Sequence, residues 1–429
     1  MIRARAAALA IIALVVLCSF GGGARGADEK PVVILLSWDG TRHDYPARVA
    51  TVALARMARE GAHAVRLTPV FPSSTFPNHV SLATGTYVDR HGIIENAFTD
   101  RKGRRFSYGN DASWIEAEPL WIAAERQGVR AAVYFWVGSE SDWHGRAATD
   151  RIRPFDASVG EAAKVDQILA WIDRPADSRP GLIMSWWHGC DGVGHERGPN
   201  VPEIAAQLLA QDHELARLFA GLDARGAWTH TTVIVVSDHG MSEITGVIDP
   251  RAVLQGAGIR ARVEYSGGEG QVYLRDLAQR DSALAALAKI QGLEAFDNER
   301  LPERFRSDYP GRSGDLTLLA SPPHVLGTAS LWQRAAGVWS RLRGKTSGAH
   351  GFDPALPDMG AIFYALGRGV PRGVELREVR AIDVAPTIAA LLGIAPPEQS
   401  EGRDVLRSQT ASNTDANPWP PPTHIVTSP

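Results

Sequence analysis

Residues 32–40 read VVILLSWDG, an apolar run closed by a tryptophan, an aspartate and a glycine. A strand that is apolar at every position is buried on both faces, which is the habit of parallel sheets covered by helices. The spacing predicts a strand over residues 32–37, with Asp39 just past its end. Two more segments repeat the arrangement. LIMSWW (182–187) runs into HGCDGVGH, and TTVIVVS (231–237) runs into DHGM. VRAAVYFW (129–136) and AIFYAL (361–366) read as further strands. Residues 49–61, 120–128 and 204–222 read as helices, and a last helix closes at Gly393. In EAAKVDQILAWI (161–172), Val165, Ile168, Leu169 and Ile172 recur at i, i+3, i+4 and i+7, one face of a helix. The alternation predicts an α/β fold: a mostly parallel sheet with helices on both faces.

Residues 250–345 break this rhythm with glycine, arginine and short ambiguous runs, and read as an inserted smaller subdomain. The catalytic α/β body is then 28–249 together with 346–407. Within the insert, SLWQRAAGVWSRLR (330–343) has the pattern of an amphipathic helix packed on its own domain. Residues 408–429, with NPWPPPTH, read as a disordered tail. Residues 1–27 carry Arg3 and Arg5, an apolar run from Ala6 to Leu17, and the small residues of ARGA, a secretory signal pattern. The expected location is periplasmic or secreted. No second apolar stretch is long enough to span a membrane. Removing the leader removes Cys18 and leaves Cys190 alone, so no internal disulfide is expected. With 429 residues, 44% hydrophobic content and net charge -3, the chain can build a large core and shows no basic surface for a nucleic-acid partner.

In open parallel sheets, sites gather beyond the carboxyl ends of the strands. The pattern therefore brings together Asp39, then Asp191 and His195, then Asp238 and His239. His350, in GAHGFDP, sits between glycines where backbone can approach closely. Aspartate and histidine with no thiolate pair suit zinc and tolerate manganese or cobalt. Six such residues make two three-ligand sites, and paired metals are a recurrent device for phosphoryl transfer. FPSSTFPNH (71–79) supplies a hydroxyl. Pro77 fits the first turn of a helix, which puts Thr75 at or near a helix N-terminus, where an anion is favoured. Beside a divalent cation the Thr75 hydroxyl becomes a candidate nucleophile.

SWDG, FPSSTFPNHVSLATGTYVDRHGIIEN, FWVGSE, DGVGHERGP, SDHGM and GAHGFD occur in the order seen in the nucleotide pyrophosphatase/phosphodiesterases of the alkaline phosphatase superfamily. The chain resembles that family over about 32–402, apart from 250–345. The resemblance implies an alkaline-phosphatase-like fold and two zinc ions. It implies that Thr75 is phosphorylated during turnover, and that Asp39, Asp238 and His239, with the Thr75 oxygen, hold one zinc. Asp191, His195 and His350 hold the other. Asn96 matches an asparagine that donates to a phosphoryl oxygen. Phe76 and Trp186 match aromatic positions around the leaving group. The stretch SWWHGCD departs from the family's acidic pattern and puts substrate preference in doubt. Cys190 is read as a packed thiol, and His43, His79, His91, His144 and His188 fall outside the metal set.

The expected activity is hydrolysis of a small phosphodiester or nucleotide through a phosphothreonine. The alternatives are a phosphomonoesterase or phosphonate hydrolase of the same superfamily, and a non-enzymatic metal-stabilised binding protein. The sequence carries no signal for an oligomeric state.

Overall fold

The computed structural model describes residues 29–109, 111–328 and 346–407; the expected leader, the 330–343 helix and the 408–429 tail lie outside them. The main sheet has eight strands: β1 (Val32–Trp38), β2 (Ala62–Ala64), β3 (Ala131–Tyr134), β4 (Asp150–Ile152), β5 (Leu182–Trp187), β6 (Thr231–Val236), β7 (Phe363–Gly367) and β8 (Val374–Leu376). Their spatial order is β8-β2-β7-β6-β1-β5-β3-β4. The run from β6 through β1, β5 and β3 to β4 is parallel.

β7 is the exception, antiparallel to both β6 and β2. The apolar pattern of AIFYAL shows that the strand is buried but carries no direction. β3 is shorter than the run VRAAVYFW suggests. Phe135 adopts a φ of +64°, a left-handed conformation that takes the chain out of the ladder.

Successive side chains of a strand point to opposite faces, and β1 uses both. Val33 and Leu35 join a core with Val80, Leu82, Leu120 and Ile388; Ile34 and Leu36 join another with Leu54, Met57, Val165, Ile168 and Leu208. All four β1 residues are fully buried, and burial stabilises each by about 1.5–3 kcal/mol. Helices cover both faces. Ala53–Glu60, Glu161–Ile172 and Pro202–Ala224 lie on the second; Thr75–Thr84, Leu120–Arg126 and Val384–Leu392 lie on the first. The first of these helices begins at Ala53 rather than Val49, because Val49 leaves the 3-10 turn at 45–48 in extended backbone, with φ of −141°.

Within 250–328, Ala261–Ser266, Glu269–Leu274, Leu316–Ala320 and Leu293–Asp297 form a four-stranded antiparallel sheet in that order. It has its own core, including Leu254, Val263, Val272, Leu287 and Leu318. This sheet touches the main body where it matters for the site. The Gly268 N–H donates to the His350 carbonyl at 3.0 Å, and a side chain on Gly267 would meet that carbonyl at 2.1 Å. The tight turn at 267–268 therefore buttresses the backbone of a candidate site residue.

Candidate active site

Because β1, β5 and β6 are parallel neighbours in register, their carboxyl ends open on one edge. Asp39 follows β1 directly, Asp238 and His239 follow β6, and Asp191 opens the helix Asp191–Arg197 after β5. Two glycines let the loops close. Gly40 and Gly189 both have left-handed φ (+62° and +57°), and a Cβ on Gly189 would lie 2.0 Å from the Asp39 carbonyl. In their absence of side chains, Cys190 and Asp191 N–H donate to that carbonyl at 2.8 and 3.1 Å. The Gly40 N–H donates to Asp238 Oδ1 at 3.0 Å.

Three sets of side chains converge tightly enough to hold a cation, with ligand atoms within 4.8 Å of one another: Asp191, His195 and His350; Asp39, Asp191 and His239; Asp39, His79 and Asp238. The His239 and His350 rings stack at 3.8 Å, so the groups form one continuous cluster. All six residues expected from the sequence are in it. Thr75 borders it, with Oγ1 3.2 Å from His239 Nε2.

The chemistry of the donors fits divalent metal. Asp39 Oδ1, Asp191 Oδ1 and Asp238 Oδ2 are buried and have no hydrogen-bond partner among the described residues. Each imidazole of the expected set is oriented through its other nitrogen. Nδ1 of His195, His239 and His350 donates to the carbonyls of Gly348 (3.0 Å), Gly240 (2.8 Å) and Ser73 (3.1 Å). That tautomer leaves the Nε2 lone pair for a metal, the usual outer support of a metal-binding histidine. Nε2 of His195 lies 3.3 Å from Asp191 Oδ1, and Nε2 of His239 lies 3.2 Å from Asp238 Oδ2.

The electrostatics agree. Burial, reinforced by the charges of Asp238 and Asp191, pushes the Asp39 carboxyl well above the usual range. Burial pushes Asp238 up to about 8 and drives His239 down to about 4. Burial also drives His350 well below its ordinary value. Asp191 goes the other way: burial raises it, but His195 and His350 together hold it well below. Asp39 and Asp238, which would otherwise take up protons, beside the neutral imidazoles of His239 and His350, are donors a divalent cation satisfies; at His195 burial is outweighed by the Asp191 carboxylate, which raises the imidazole.

His79 was not expected here. It lies one helical turn after Thr75, so the i, i+4 spacing carried the signal. Both of its nitrogens are committed. Nδ1 lies 2.9 Å from the Thr75 carbonyl, and Nε2 lies 2.8 Å from Ser37 Oγ. It thus ties the first turn of the Thr75 helix to β1. His188, by contrast, binds Glu161 at 2.7 Å, and Cys190 is a buried free thiol pushed up to about 12 by burial.

Thr75 is the first residue of the helix Thr75–Thr84, and Ser74 is its N-cap without a side-chain capping bond. The Ser74 hydroxyl instead donates to Glu95 at 3.0 Å. Asn96 Oδ1 accepts from the Phe76 N–H at 2.7 Å, which orients the amide and leaves Nδ2 as a donor. The Phe76 ring meets Tyr108 edge-on at 5.3 Å. Tyr108, 60% exposed, adopts a φ of +44° and its N–H donates to the Asn96 carbonyl at 2.8 Å. Nothing in FSYGND marked it. Trp186 is half-buried, and its indole N–H donates to Asp39 Oδ2 at 2.8 Å.

Residues 33–353 match the family model described as type I phosphodiesterase / nucleotide pyrophosphatase. An uncharacterized pyrophosphatase/phosphodiesterase of Schizosaccharomyces pombe is 32% identical over 412 residues, 92% of this chain and 82% of that one. The bis(5'-adenosyl)-triphosphatase of Xenopus laevis is 27% identical, covering 85% of this chain and 78% of that one. Among solved structures, murine ectonucleotide pyrophosphatase/phosphodiesterase 5 superposes with a TM-score of 0.76 at 25% identity, covering 86% of this chain and 96% of that one. An inactive threonine-to-alanine form of that mouse protein, in complex with AMP, matches equally well. The fold is alkaline-phosphatase-like, and the chain belongs to the type I phosphodiesterase / nucleotide pyrophosphatase family, hydrolases of phosphoric esters.

Proposed function

We propose that this family member is an exported two-zinc enzyme that cleaves phosphodiester or phosphoanhydride bonds of small nucleotides through a phosphothreonine at Thr75. The observation that carries the reading is the position of the Thr75 hydroxyl, at a helix N-terminus and 3.2 Å from an imidazole of the carboxylate–imidazole cluster.

Asp39, Asp238 and His239, with Thr75 Oγ1, would hold one zinc; Asp191, His195 and His350 would hold the other. Bound there, the metals would supply Lewis acidity that makes a hydroxyl ionisable near neutral pH and stabilises entering and leaving oxygens. Thr75 Oγ1 attacks phosphorus in line, the Oγ1–P bond forms, and the P–O bond to the leaving group breaks. Water then attacks phosphorus from the vacated side and releases Thr75. The two displacements retain configuration overall. Asn96 Nδ2, oriented by the Phe76 N–H, donates to a non-bridging oxygen. Phe76 and Tyr108 offer an aromatic wall for the organic part of the substrate.

The wall beside Asn96 is neutral and aromatic, which suits a diester better than the extra charge of a monoester. The turn at Gly267 and Gly268, within the stretch read as an inserted subdomain, supports His350 from behind. Export rests on the leader pattern at 1–27; among the described residues no helix is long and apolar enough to cross a membrane. The test compares an aryl phosphodiester, an aryl phosphomonoester and a dinucleotide under one condition. Preference for the diester or dinucleotide supports the reading, and a strong monoester preference overturns it.

A further inference from the structure

Asp39 divides its two carboxylate oxygens between protein and open coordination. Oδ2 accepts the Trp186 indole N–H at 2.8 Å, while the buried Oδ1 has no hydrogen-bond partner among the described residues and lies 3.7 Å from His239 Nε2. A carboxylate with one oxygen tied to a fixed donor is held at one rotation, with its other oxygen turned to the open side. The indole therefore selects which oxygen faces the metal and at what angle.

Trp186 is itself held on several sides. The Lys164 ammonium lies 4.7 Å from the centre of its ring, Phe155 packs against it at 5.4 Å, and His188 at 4.8 Å. Lys164 is fully buried, and among the described residues its Nζ has no hydrogen-bond partner; besides the ring it has Glu161 Oε1 at 3.6 Å. The same Glu161 oxygen takes the His188 N–H at 2.9 Å and its Nδ1 at 2.7 Å. A buried ammonium whose neighbours are one carboxylate and one aromatic face is a costly placement, offset by the strength of a desolvated cation–π contact. The arrangement runs unbroken from Glu161 through Lys164 and Trp186 to Asp39.

We propose that Trp186 is a positioning residue for the metal-holding carboxylate of Asp39, and that the Glu161, Lys164 and His188 set fixes its indole for that task. The inference rests on the two-zinc reading of the site. It gives the SWWHGCD stretch, where this chain departs from its family's pattern, a role in metal retention. Ring stacking against a leaving group needs no indole N–H, so the two roles separate experimentally.

The test measures zinc affinity of the full chain by competition with a chromophoric chelator, for wild type, Trp186→Phe and Lys164→Met. Trp186→Phe keeps the ring and removes the donor. It is expected to weaken one zinc by about tenfold or more, the effect of losing an outer-shell partner, with the other zinc and the melting temperature of the metal-free chain unchanged. Lys164→Met is expected to shift the same zinc in the same direction by a smaller factor. Trp186→Phe binding both zinc ions like wild type overturns the inference. If that variant does not fold, wild-type zinc affinity in Lys164→Met overturns it instead. Wild type failing to bind zinc overturns the two-metal reading and the inference with it, and that result is seen without any variant.

Discussion

The Thr75 hydroxyl stands 3.2 Å from Nε2 of His239, the imidazole that also faces Asp238 at 3.2 Å and Asp39 at 3.7 Å. His239, 164 positions along the chain, meets both the threonine and Asp39 because two parallel strands end side by side and one helix starts opposite them. A hydroxyl in that position has the proximity that covalent catalysis requires. Thr75→Ala is expected to lower kcat by about 10⁴-fold or more, as loss of a nucleophile does elsewhere. Zinc content and melting temperature should stay near wild type. Steady-state kinetics beside metal analysis checks this, and near-normal turnover would remove Thr75 from the nucleophile's role.

Much of this was legible in the sequence because strand ends announce themselves. Short, β-branched apolar runs such as VVILLS and TTVIVVS read as buried strands, and the Asp and His residues following them have a shared destination once the strands are parallel. What remained hidden depends on side-chain direction. The reversal of β7 leaves no mark on an apolar pattern. His79 reaches Asp39 and Asp238 only in space, across residues 40 and 159 positions away, and no stretch of sequence around it shows that grouping. Tyr108 depends on a left-handed backbone that a tyrosine does not advertise. The Trp186 bond to Asp39 spans two strands, and only the register of β1 with β5, pairing Ser37 with Trp186, brings it about.

Glu95 is a buried carboxyl behind the nucleophile's loop, and its folded state favours the proton. Burial pushes it up to about 7, against the pull of the Asn96 N–H and the Ser74 hydroxyl. In the unfolded chain it titrates near the ordinary value of about 4.3. Between those values the unfolded chain has released a proton that the folded chain retains, so stability falls as pH rises through the window and levels off above it. Glu95→Gln has no proton to lose. In the metal-free chain its advantage over wild type should be absent below about pH 4 and reach up to about 3 kcal/mol above pH 7. Melting temperatures across that range test it; a constant difference at every pH contradicts it.

Asp212, on the helix Pro202–Ala224, caps a different helix. It is buried, and its carboxylate accepts from the N–H groups of Val52 (2.6 Å), Ala53 (3.1 Å) and Leu54 (2.8 Å). The helix Ala53–Glu60 has no side-chain cap at its own N-cap residue, Val52. Asp212→Ala strands these amides and is expected to destabilise the fold by about 2–3 kcal/mol, with kcat unchanged because that helix carries no site residue. Denaturant unfolding measures the loss, and a shift below about 0.5 kcal/mol would show that water replaces the cap.

The most direct test of the bimetallic reading is anomalous diffraction at the zinc edge from crystals of the protein grown with zinc. Two peaks are predicted. One should lie about 2.0–2.2 Å from oxygens of Asp39 and Asp238, Nε2 of His239 and Oγ1 of Thr75, and the other at like distances from Asp191, His195 and His350. A single peak, or peaks held by other residues, would contradict it.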